Sequence, residues 1–77
     1  MEAVGFNTQL RRVLNRQSTL GDRYMALRRG VEAFSPGGFN ATWANLEEAV
    51  GVTDPKNWTD DQLVAAAELL TRSRARY

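Results

Sequence analysis

The chain has 77 residues, a formal net charge of +1, 43% hydrophobic residues, and neither cysteine nor histidine. That length makes one small domain, 1–77, with a thin core and no disulfide or thiolate metal site to supplement it. The missing histidine and cysteine remove most nucleophilic, general-base and zinc chemistry, so the expectation is a protein that is not an enzyme and carries no cofactor or metal.

The opening MEAVGFNTQL has no basic region followed by an apolar run, and no apolar stretch approaches the roughly 20 residues of a membrane span. The expected location is the cytoplasm. From Thr8 to Phe34 a heptad seam runs through Leu10, Val13, Gln17, Leu20, Tyr24, Leu27, Val31 and Phe34, interrupted only by Gln17. It predicts one long helix, capped by Asn7 or Thr8 and ended near Ser35 by Pro36. Ser18, Thr19 and Gly21 leave open a kink or a split. Thr19 could cap a second helix with Asp22 at its third position, and Gly21 costs about 1 kcal/mol inside a helix.

The breaker cluster SPGG turns the chain. A second helix, Phe39–Val50, follows with Asn40 or Thr42 as its cap and Phe39, Trp43, Leu46 and Val50 as its seam. Gly51 sits where a left-handed C-cap is wanted, with Val52 placed to fold back on Leu46. The third helix, Thr59–Arg74, has the clearest start signal. Thr59 and Gln62 make a capping box, Trp58 and Leu63 a hydrophobic staple, and Asp60 and Asp61 fill the first turn. The expected fold is all-α, a small three-helix domain with a long N-terminal helix. Its expected core is Phe6, Leu10, Val13, Leu20, Tyr24, Leu27, Val31, Phe34, Trp43, Leu46, Val50, Trp58, Leu63, Ala67 and Leu70.

Charge is unevenly spread. Residues 1–38 carry a balance of +3, residues 39–71 a balance of −5, and the closing RSRARY returns +3. The two halves can attract each other or form separate binding surfaces. On a continuous helix Arg28 and Arg29 reach Glu32, while Arg12, Arg16 and Arg23 share a flank about 16 Å long with no acid beside them. Their expected partner is an acidic protein surface, either external or the chain's own Glu47, Glu48 or Glu68. Three arginines neutralise at most about three phosphates, a salt slope near −2.7 on duplex DNA, so binding there is expected to be non-specific.

Other constellations resolve into ordinary structure. Asp54, Asp60 and Asp61 lack calcium-loop spacing, and SPGGFN lacks the spacing of a phosphate loop. LEEAVGV would lead a helix-turn-helix into an acidic reading helix, which phosphates repel. A parallel dimeric coiled coil would set Arg23 against a partner's Arg28, with no acid to relieve them.

Elimination leaves binding. The first expectation is a small accessory or regulatory protein, such as an adaptor or inhibitor, that meets its partner through Arg12, Arg16, Arg23, Phe39 and Trp43. Phe39 and Trp43 enter as aromatic anchors expected to be partly exposed. The alternatives are a nucleic-acid-binding protein using the arginine stripe and a structural subunit of an assembly such as a phage virion. The chain would be a monomer or a part of that assembly. Leu70→Asp is expected to unfold the domain by placing an unpaired charge in its core; a cooperative thermal melt left unchanged by the substitution would refute the packing.

Overall fold

The computed structural model describes residues 5–34 and 37–75. It is all-helical, with α1 over Phe6–Leu14, α2 over Leu20–Phe34, α3 over Phe39–Val50, a single 3-10 turn at Pro55–Asn57, and α4 over Asp60–Ala75. The Pro36 stop signal and the end of the tail, Arg76 and Tyr77, lie outside the described residues.

The expected long helix is two helices, so the three-helix plan becomes four. The cause is local polar chemistry between residues 15 and 19. Asn15 leaves helical geometry, and its side-chain Oδ1 accepts a hydrogen bond from the Gln17 N–H at 3.1 Å. The Ser18 N–H donates to the Asn15 carbonyl at 3.1 Å and closes the turn. Thr19 Oγ1 then accepts from the Asp22 N–H at 3.1 Å, the cap that starts α2. These bonds satisfy free backbone groups at both helix ends, which a continuous helix would not need.

The two halves of the heptad seam therefore face each other. Val13 lies beside Arg23, the Gln9–Leu10 turn beside Gly30, and Phe6 beside Phe34 with ring centroids 5.3 Å apart. α1 and α2 form an antiparallel hairpin. α4 runs back along α1. Its first residue, Asp60, meets the start of α2, and Arg74 near its end lies over the Phe6 ring at 4.8 Å and donates to Asn7 Oδ1 at 2.7 Å. α3 packs against α2 and α4.

The reversal also changes which side chains are buried. Leu20, expected in the core, is 47% exposed because it is the first residue of α2, beside the turn, and the buried face begins at Arg23. Phe34 and Val50 are only partly buried, packed at the edge of the core. Ala26, Ala66 and Val52 are buried in addition. Ala66 and Ala67 let α4 sit close against its neighbours. The N-terminal caps also differ from expectation. Gly5 precedes α1 and Gly38 precedes α3, each without a side-chain cap bond, since the helices begin before Asn7, Thr8, Asn40 and Thr42.

The later signals appear as read. Gly51 adopts the left-handed conformation at φ 84°, with its N–H and that of Val52 both donating to the Glu47 carbonyl. Thr59 and Gln62 exchange the two bonds of a capping box, Thr59 N–H to Gln62 Oε1 at 3.0 Å and Gln62 N–H to Thr59 Oγ1 at 3.3 Å.

α1 and α2 approach closely at Gly30. A Cβ there would lie 3.5 Å from Gln9 Cβ and 3.9 Å from Leu10 Cδ2, ordinary van der Waals contact. Gly30→Ala is expected to raise stability by about 0.5–1 kcal/mol, because the methyl fits and the unfolded chain loses freedom. Gly30→Leu, which must push the helices apart, is expected to lower it by about 1–3 kcal/mol. Urea unfolding of the two variants checks both signs.

Candidate protein-binding surface

Arg23 is the most deeply placed charge among the described residues. It lies in the first turns of α2, on the inward face, and its side chain is only 2% exposed. Its Nε–H donates to the Val13 carbonyl at 2.6 Å. Because α1 ends at Leu14, that carbonyl is one of the last four of the helix, which lack intrahelical partners. Nη1 donates to Asp60 Oδ1 at 2.6 Å. Arg16, in the turn between the helices, brings Nη2 to 3.7 Å from the other Asp60 oxygen. Asp60 thus faces two arginines, one buried and one 70% exposed. Arg23 Nη2 is buried without a protein partner.

The arginine flank drawn on one continuous helix does not exist as such. Arg12 stands on α1, Arg16 in the turn, and Arg23 in the core. The chain's own acid for this group is Asp60, and not Glu47, Glu48 or Glu68. Helical spacing could identify Asp60 only as a first-turn residue, since its meeting with residue 23 depends on how α4 docks.

Arg12 instead borders a concavity of about 470 Å³ between α1 and α2, lined also by Asn15, Ser18, Asp22, Met25, Ala26 and Arg29. Residues on α2 turn by about 100° per step. Asp22, Met25, Arg29 and Glu32 fall on the outward arc, and all four are exposed. Met25, at 45% exposure, stands in the middle of that arc.

Arg28 lies on the flank of α2 that faces α3, half-buried over a group of aromatic rings. Its guanidinium carbon is 5.0 Å from the Phe39 ring centre, 5.1 Å from Trp43 and 6.0 Å from Tyr24. Beneath it Phe39 stacks on Trp43 at 5.8 Å and 8°, Trp43 stacks on Trp58 at 5.7 Å and 29°, and Tyr24 meets Trp43 edge-on. Of the two expected anchors, Trp43 is buried within this group, and Phe39 is half-buried at its rim. Arg28 and Arg29 had the right spacing to pair with Glu32. Among the described residues, no ion pair joins either of them to it.

Three residues that the expected interface did not include therefore stand at this surface: Met25 and Arg29 on the outer arc, and Arg28 on the flank beside it. Only Met25 left a usable signal. It is an apolar residue off the seam, hence outward-facing on any helical reading. Among the described residues, no group of three or more acidic side chains could hold a metal ion, and no helix is long and apolar enough to cross a membrane.

Removing Asp60 leaves Arg23 buried with its charge unpaired. Asp60→Ala is expected to cost about 2–3 kcal/mol, below the range for a fully buried pair because the Asp60 side chain is 36% exposed. Arg16→Ala is expected to cost less than about 0.5 kcal/mol, since its contact is long and solvated. Equal costs in denaturant titrations of the two variants would refute the central role given to Arg23.

Comparison with known proteins gives no match to any protein-family model, curated protein or solved structure.

Proposed function

We propose that the protein is a small non-catalytic binding module, an adaptor, inhibitor or accessory factor, that takes an acidic surface of a partner protein on the outer face of α2 and the adjoining cleft of α1. The observation that carries this reading is the division of labour among the arginines. Arg23 and Arg16 face Asp60, and Arg74 is tied to Asn7 and Phe6. Arg11, Arg12, Arg28, Arg29 and Arg72 have no carboxylate partner among the described residues, and of these Arg12, Arg28 and Arg29 lie around the exposed Met25. Arginine, methionine and aromatic residues are the types enriched at protein interfaces.

The same face argues for protein over nucleic acid. Asp22 and Glu32 interrupt the arginines, which suits the spaced carboxylates of an acidic protein surface and opposes a continuous line of phosphates. The aromatic rings that would stack bases lie under Arg28 and inside the core.

The double variant Arg12→Glu/Arg29→Glu tests the reading. Both side chains are exposed, so the thermal melt is expected to stay within about 0.5 kcal/mol of the parent. The parent is expected to retain a protein from its native host that the variant releases, with random-sequence duplex DNA competing only weakly at physiological salt. Equal retention by parent and variant would refute the surface, and efficient competition by duplex DNA would refute the partner class.

A further inference from the structure

Binding an ordinary surface arginine costs the freedom of a long side chain. At Arg28 that freedom is already restricted. The guanidinium lies against Phe39 and Trp43 and reaches Tyr24, and its Nη1–H makes only a long bond, 3.4 Å, to the Tyr24 hydroxyl. The ring contacts hold the guanidinium in place without using its N–H groups, which stay available to other partners. No ion pair or other hydrogen bond occupies that edge among the described residues.

Resting on the protein-binding reading above, we infer that Arg28 is a preorganised fork for a single carboxylate, the Asp or Glu side chain of the partner, with the aromatic group as its rigid backing. A guanidinium edge matches the two oxygens of a carboxylate through parallel N–H···O bonds. Glu32, one turn along α2 from Arg28, penalises a doubly charged phosphate more than a singly charged carboxylate. Met25, about 60° around α2 from Arg28, offers an apolar landing for a side chain beside the partner's acid.

The test uses the side-chain Nε–Hε resonances of the intact protein, titrated with N-acetyl-glutamate N-methylamide at constant ionic strength. Arg12 and Arg29 serve as internal references. Arg28 is expected to respond at about fivefold lower concentration than either, because less side-chain ordering remains to be done. N-acetyl-glutamine N-methylamide is expected to leave it unmoved, and Phe39→Leu to bring its response to the level of Arg12. An Arg28 response no tighter than that of Arg12 would overturn the inference. Partner release by Arg12→Glu/Arg29→Glu would then still stand, so the two readings fail separately. Tighter binding of inorganic phosphate than of the glutamate probe at Arg28 would overturn the carboxylate assignment.

Discussion

A buried guanidinium must be neutralised and hydrogen-bonded where it lies, and Arg23 meets that demand from two directions through Nε and Nη1, with Nη2 left without a protein partner. The Val13 carbonyl comes from the end of α1, and the Asp60 carboxylate from the start of α4. One side chain therefore requires three helix ends to converge. A seam of leucines and valines tolerates some sliding of one helix along another. Two bonds at 2.6 Å to partners 10 and 37 residues away do not. Here the ion pair acts as a registry device, and the apolar core packs around the geometry that it sets.

That arrangement also explains the surface. Among the described residues, the basic first half and acidic second half of the chain attract each other through one acid, Asp60. Asp60 is drawn inward while Glu48, Asp54, Asp61 and Glu68 remain exposed. The remaining arginines of α1 and α2 keep their charge on the outside, apart from the acids of α3 and α4. The outer face of α2 is thus a remainder: what is left of a basic hairpin once its innermost cation is satisfied.

Elements defined by neighbours in sequence were legible from it. The capping box of Thr59 and Gln62, the left-handed Gly51, and the alanine face of α4 each depend on residues within about one turn. The split of the first helix was legible only as an alternative. Asn15 and Thr19 can either lie on a helix or bond the backbone at its ends, and an apolar period interrupted only at Gln17 weighed for continuity. That period came from two short seams whose spacing matched across a turn. Arg23 and Arg28 were beyond sequence reading for a different reason. Arg23 has its partners on α1 and α4, and Arg28 rests on Phe39 and Trp43 of α3 as well as on Tyr24 of its own helix, while the nearest acid along the chain, Glu32, forms no ion pair with it.

The separations along the chain carry a kinetic consequence. The α1–α2 hairpin closes over a short loop, with contacts such as Val13–Arg23 only ten residues apart. The Asp60 latch closes 37 residues, and the Arg74–Asn7 bond 67. Loop-closure entropy favours the hairpin as the early structure and the docking of α4 as a later event. Interactions made after the folding barrier govern how fast the native state is lost, and not how fast it is reached. On that order of events, loss of Asp60 is expected to act on the lifetime of the folded chain, and changes in the polar turn from Asn15 to Thr19 on the pace at which it forms.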